Sequence, residues 1–252
     1  MSHPEQLGFF AAVAAANRDV ITGGRLIEIG AYAVNGTMRS YFSTTAEYVG
    51  IDLVEGPGVD VVTFGHEVDH ESGSYDIATS GECFEHDPHW RETFANMVRL
   101  TRPGGLVAFT CASAGRPEHG TRRTQVIDSP GTQFEGLDYY RNLTEDDFAE
   151  LDVASDFSTF RFWRNATSMD LYFAGVRAGE AEGKPSASLP DEAAVARLSG
   201  LMSLPHRVLR LPLRGAKRVV SDDARYQDVI LPYWQGMLKL QRRLGGVGSR
   251  AE

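Results

Sequence analysis

Cysteine is scarce in this 252-residue chain: only Cys83 and Cys111 occur, and their spacing matches no metal or redox motif. A disulfide framework is therefore not indicated, and both read as small core or pocket residues. Long apolar runs are missing as well. None approaches the roughly 20 residues that span a bilayer, and the opening Met1-Ser2-His3-Pro4-Glu5-Gln6-Leu7 has no basic region of the kind that precedes a signal core. No transmembrane segment and a cytoplasmic location are expected. There is no internal repeat and no low-complexity tract. Positive charge is also short, with a net charge of -9. The shortage is uneven: of 25 basic and 34 acidic residues, 11 and 6 respectively lie from Asp191 onward, giving a basic tail on an acidic core. Such a tail could meet an anionic partner, but docking on its own core or on a second subunit is favoured, so a homodimer through this extension is possible and nucleic acid is not expected.

A chain of this length can bury one sizeable α/β core with an appendage. Leu26, Ile27 and Ile29 form a short apolar run of the length of a strand covered on both faces, and Gly30 ends it where the backbone must turn. Glu28 then lies near the carboxyl end of that strand, the edge where open α/β sheets bind ligands, and can accept hydrogen bonds from a cationic amino group. A second apolar run over 48–53 ends in Asp52-Leu53, about 20 residues on, where dinucleotide folds place the acid that binds ribose hydroxyls. Yet Gly30-Ala31-Tyr32-Ala33-Val34-Asn35-Gly36 lacks G-x-G-x-x-G, so no tight approach to a pyrophosphate is provided and a cofactor without phosphates is favoured.

Further strands are expected over 59–63, 74–80, 106–111, 159–163 and 171–176, and helices over 4–17, 34–42, 90–100, 145–151 (capped by Thr144), 193–202 and 222–244, with Pro232 bending or breaking the last. In the first helix, Leu7, Phe10, Val13 and Ala14 make the buried face. The prolines of 204–214 argue against one continuous amphipathic helix there.

A strand-end acid before the glycine and a second acid after the next strand resemble the class I S-adenosylmethionine-dependent methyltransferases. The loop differs from that family's commoner pattern at Tyr32 and Val34 and looks more like a G-x-Y-x-x-N-G-[ST] subset. Gly81-Glu82-Cys83-Phe84-Glu85-His86 resembles the family's E-V-L-E-H segment after the fourth strand, and Thr101-Arg102-Pro103-Gly104-Gly105-Leu106 its L-x-P-G-G turn. The resemblance covers about 25–112. It implies a Rossmann-like, doubly wound, seven-stranded, mostly parallel sheet with helices on both faces and two last strands antiparallel at one edge. The Gly-, Ala-, Ser-, Glu- and Pro-rich stretch after 178 divides the chain into a catalytic domain over 1–178, a linker or mobile loop over 179–190 and a helical carboxyl-terminal extension over 191–252.

The resemblance also implies S-adenosylmethionine as cofactor, with Glu28, Gly30, Ala31, Tyr32, Asn35 and Gly36 around the methionine part. Asp52 and Leu53 then lie at the ribose, Gly65, His66 and Glu67 at the adenine, and Ser80 and Gly81 beside the donor. The long polar stretch 114–143 offers Arg116, Tyr139, Tyr140, Arg141 and Asn142 as a wall for a polar small-molecule or sugar acceptor.

Methyl transfer needs an in-line nucleophile and a proton acceptor. His86, His119 and Glu82 are the catalytic candidates, histidine being suited by its pKa near 6.5. In a second reading Glu82, Glu85, His86 and His119 bind a divalent metal that lowers the hydroxyl's pKa, a pattern that resembles the small-RNA 3′-terminal 2′-O-methyltransferases. In a third, Glu82 lines the cleft while Glu85 and His86 cap the next helix. O-methylation of a polar small molecule or sugar is the expected activity. RNA 3′-end methylation, or a binding protein without turnover, are the alternatives.

Overall fold

The computed structural model describes residues 3–244. The apolar run around Ile27 is Arg25–Ile29 (β1), paired in parallel on one side with Glu47–Asp52 (β2) and on the other with Tyr75–Gly81 (β4). Val61–Val62 (β3) is a two-residue edge, shorter than the strand expected over 59–63. Thr101–Ala112 (β5) joins β4 in parallel, while Phe157–Asn165 (β6) and Asp170–Arg177 (β7) form the antiparallel pair, giving the order β3-β2-β1-β4-β5-β7-β6. This is the mostly parallel seven-stranded sheet that the resemblance implies.

Alternating residues feed two cores. Ile27, Ile29, Val107, Phe109 and Phe173 face one side, where Trp90–Leu100 (α3) brings Phe94 and Met97 and the 3-10 turn Glu145–Phe148 brings Phe148. That turn is entered through a Thr144 capping box, and the expected helix over 145–151 reduces to it because the separate short helix Val153–Asp156 (α4) follows. Leu26, Ile77, Leu106, Ala108 and Tyr172 face the other side, covered by Pro4–Ala16 (α1), Arg18–Ile21 (α2) and Glu192–Leu198 (α5). The buried face of α1 is built on Phe9, Phe10 and Val13, with Phe9 stacked on Tyr172 at 4.9 Å. Leu7 is only half-buried.

The helix expected over 34–42 is absent. Tyr32 and Ala33 are instead tied outward, the Tyr32 amide donating to Asp52 at 3.0 Å and the Ala33 amide to Pro57 at 2.8 Å. Only a 3-10 turn, Arg39–Phe42, remains to bury Phe42. Residues 179–190 have no regular structure, yet they are pinned to the core. The Asn17 side chain exchanges two hydrogen bonds with the Ser188 backbone, Ala187 donates to Gly104, and Arg102 reaches Pro185.

The extension folds back onto the catalytic part. Leu204–Leu209 (α6) and Leu211–Val219 (α7) each carry a proline in the first turn, where the missing amide costs nothing. Asp223–Leu244 (α8) continues through the exposed Pro232 without a break. Tyr226 and Gln227 of α8 bond to the Gly115 and Arg116 carbonyls at 2.7 and 2.9 Å. Residues 1–2 and 245–252 of the expected domain and extension lie outside the described residues.

Candidate active site

The carboxyl ends of β1, β2 and β4 open into one cavity. Gly30 turns the chain there with φ +80°, and a Cβ at this position would stand 2.6 Å from that of Cys83, so glycine is required on two counts. Asp52 fixes the loop: its two carboxylate oxygens accept the Tyr32 and Leu53 amides at 3.0 and 2.7 Å. Burial raises its pKa, against those backbone bonds, which lower it. Glu28 is buried and accepts a short hydrogen bond from the Tyr48 hydroxyl. Burial pushes its pKa up to about 7, the Tyr48 bond and Arg39 pulling the other way.

Of the residues expected around a cofactor, Glu28, Gly30, Ala31, Tyr32, Gly36, Asp52, Leu53, Gly65 and Gly81 line this cavity. Asn35, His66, Glu67 and Ser80 do not. Asn35 and Glu67 are exposed, Ser80 is buried in the strand, and His66 packs against the His89 ring at 4.4 Å. The wall beside Gly65 is Phe64, one residue earlier than His66. Gln6 of α1, Met38, Cys83, Glu82 and His86 are also among the lining residues, and Ser129 to Thr132 cover it, with Gly131 packed against Asp52 and Leu53. The cavity encloses about 100 Å³, below the roughly 300–1,000 Å³ of ordinary ligand sites, so this cover must withdraw before a nucleoside enters.

Glu82 and Glu85, three residues apart, part company. Glu82 has φ +54°, in the left-handed region that a non-glycine residue rarely takes. Its carboxylate lies 3.6 Å from Arg116 and 3.7 Å from His3. Arg116 also binds Asp170 at 2.5 Å, and His3 approaches Asp170 at 3.2 Å. Burial alone would lower the His3 pKa, but Asp170, Glu5 and Glu82 hold it well above 6.5. This group is thus compensated by an arginine and a protonated histidine.

Glu85, His86 and His119 form a separate cluster with donor atoms within 4.8 Å of one another. Glu82 of the expected four-residue metal set is not in it. Both Glu85 oxygens, both His86 nitrogens and His119 Nε2 are buried without a hydrogen-bond partner. His119 Nδ1 lies 3.2 Å from the Pro117 carbonyl, an acceptor only, which places the proton on Nδ1 and leaves the Nε2 lone pair facing Glu85 Oε1 at 3.8 Å. Burial raises the Glu85 pKa and lowers those of His86, to about 3, and of His119. Burial thus favours the neutral form of all three. The imidazole rings are 5.0 Å apart, each within 5.4 Å of the Tyr140 ring.

A second cavity of about 610 Å³ lies between residues 116–128 and α8, lined by His3, Arg116, His119, Arg210, Trp234 and Lys239 among others. His86 lines the first cavity and His119 the second. Tyr139, Arg141 and Asn142, expected in the acceptor wall, line neither: Arg141 pairs with Asp147, while Asn142 is buried and bonded to Arg116, Tyr140 and Asp223. Tyr140 backs the two imidazoles. Arg210 and Trp234 carried no local signal in the sequence, since only the return of α6 to α8 onto the core brings them here.

A family model described as a methyltransferase domain matches residues 9–172. Among curated proteins none matches the chain in sequence. Among solved structures it is similar to the YcgJ protein of Bacillus subtilis, at 12% identity and a TM-score of 0.50, over 71% of this chain and 100% of that one. It is also similar to a putative methyltransferase of Bacillus halodurans, at 15% identity and 0.44, over 62% and 71%. A third is the Burkholderia thailandensis 1,6-didemethyltoxoflavin-N1-methyltransferase with bound 1,6-didemethyltoxoflavin and S-adenosylhomocysteine, at 17% and 0.47, over 68% and 79%. At such identity the likeness to the Bacillus subtilis protein is one of fold.

Proposed function

Since this chain belongs to the class I S-adenosylmethionine-dependent methyltransferases, we propose that it methylates a hydroxyl on a polar small molecule or sugar, with donor in the first cavity and acceptor in the second. Membership of that family sets aside the alternative of a binding protein without turnover. The observation that carries the reading is the pair of perpendicular imidazoles, His86 in one cavity and His119 in the other, 5.0 Å apart.

In the first cavity Glu28 would receive the ammonium of the methionine part, Asp52 the ribose hydroxyls and Phe64 with Gly65 the adenine. The acceptor hydroxyl oxygen attacks the sulfonium methyl carbon in line, the C–S bond breaks with its electrons going to sulfur, and the hydroxyl proton passes to His119 Nε2. Glu85, once ionised, would favour that imidazolium. Tyr140 and the Pro117 carbonyl hold the ring in place.

The unpaired atoms of Glu85, His86 and His119 also fit a divalent metal, with one carboxylate and two imidazoles suiting manganese, zinc or iron better than magnesium. Bound there, a metal supplies a lowered pKa for the acceptor hydroxyl. Titration with S-adenosylhomocysteine tests the donor half, and absence of binding at sub-millimolar concentration would overturn it. Methyl transfer from labelled S-adenosylmethionine to a panel of sugars, with and without EDTA, tests the rest. His119→Ala should cost about 10²–10⁴ in rate. Full activity of His86→Ala and His119→Ala in EDTA would sink both the base and the metal readings.

A further inference from the structure

Cations and acids are unevenly matched in the second cavity. Arg116 is compensated by Asp170 and Glu82, and Arg123 by Glu118 and Asp228 at 3.2 and 2.6 Å. Arg210, at the junction of α6 and α7, has no carboxylate within ion-pairing distance among the described residues. Its Nη1 donates only to the Ser168 and Thr167 carbonyls at 2.8 and 3.3 Å, and its guanidinium lies 5.4 Å from the centre of the Trp234 ring. Arg214, one turn along α7, has Nε and Nη2 buried without an acceptor, and Lys239 at the exposed rim pairs with no described acid. Glu118 and Asp128 line the same cavity, but Glu118 is occupied by Arg123 and by the Thr121 hydroxyl at 2.6 Å.

A half-buried guanidinium beside other cations is left less favourably placed than one that an anion joins. Burial, reinforced by Arg116, draws the Arg210 pKa down to about 10. Asp170 and Glu5 act on it from further off, but Asp170 is committed to Arg116 and His3, and Glu5 to His3. The guanidinium remains charged at neutral pH and keeps donors free for a planar or tetrahedral oxyanion.

We propose that the acceptor is a phosphomonoester of sugar-phosphate size whose phosphate binds Arg210 with help from Lys239, leaving a hydroxyl at His119. The inference rests on the acceptor reading of the second cavity. Two cations without acidic partners match a dianion better than a carboxylate, and the volume of about 610 Å³ falls within the range of small-molecule sites. Phosphate at one end and His119 at the other would orient the molecule so that one hydroxyl meets the donor methyl.

The test is quenching of tryptophan fluorescence by inorganic phosphate and by glucose 6-phosphate, up to ~10 mM, the weak end of measurable affinity, with glucose and glucuronate alongside. Saturable binding of both phosphates is expected, weakened at least ~tenfold in Arg210→Ala and less in Arg210→Lys. S-adenosylhomocysteine titrated into the same variants reports folding and the donor site separately: its loss from wild type would overturn the methyltransferase reading, whereas its retention in Arg210→Ala shows an intact fold. Equal phosphate affinity in wild type and Arg210→Ala, no phosphate binding at all, or binding of glucuronate in preference to glucose 6-phosphate would each overturn the proposal.

Discussion

Glu28 gives the most quantitative test of the donor site. Its pKa of about 7, displaced upward from 4.5 chiefly by burial, means that the ionised side chain costs the empty protein about 3 kcal/mol at about 1.4 kcal/mol per pK unit. Because the folded value lies above the unfolded one, Glu28 favours folding below pH 4.5 and that contribution is lost as pH rises through 7. An arriving ammonium needs the carboxylate, so only the ionised fraction is competent, and apparent affinity scales with that fraction. S-adenosylhomocysteine should therefore bind about tenfold more weakly at pH 6 than at pH 8. Binding should release close to one proton at pH 6 and little at pH 8. Calorimetry in two buffers of different ionisation enthalpy measures both quantities. Tyr48→Phe removes the hydroxyl that favours the carboxylate and should move the midpoint upward. An affinity flat from pH 6 to 8 without proton release would refute the assignment of Glu28 to the ammonium.

Asp52→Ala should weaken S-adenosylhomocysteine about tenfold to a hundredfold, the loss of a charge-assisted bond worth about 1.5–3 kcal/mol, and should also lower the melting temperature because the Tyr32 and Leu53 amides lose their acceptor. Unchanged calorimetric affinity would remove Asp52 from the ribose site. The cover over the first cavity, Ser129 to Thr132, should be cleaved by protease more slowly once both ligands are bound, since it must open for entry and close over them. Equal cleavage rates with and without ligands would count against a lid.

The parallel strand β1 was legible because burial on both faces writes a short apolar run, as in Arg25–Ile29, where all but the first residue are buried. Helix α3 was legible at both ends, Trp90 and Leu100. The connection after β1 was not: helical spacing over 34–42 says nothing of the long-range bonds from Tyr32 to Asp52 and from Ala33 to Pro57 that hold it as a loop. The acids at 82 and 85 read alike in sequence, but in the structure Glu82 takes φ +54° and their carboxylates face different partners. His86 and His119 could be named from strand order, but their assignment to two cavities required the cover and the returned α8. Arg141 and Asn142 looked like binding residues because their type is polar, and structure alone reveals that both are engaged within the protein.

Two polar groups lie side by side under these cavities, and their contrast argues for where chemistry occurs. Asp170 is bonded to Arg116 and lies beside a protonated His3, while Glu82 has both oxygens buried without a hydrogen bond but keeps the two cations at 3.6 and 3.7 Å. Glu85, His86 and His119 have no such partners, and each buried unpaired atom costs about 1–3 kcal/mol. A structural role would be served as well by apolar residues of similar volume, which would carry no such penalty. The unpaired atoms make sense where a ligand, a proton or a metal ion completes them, and their place at the meeting of the two cavities is where a methyl group would change hands.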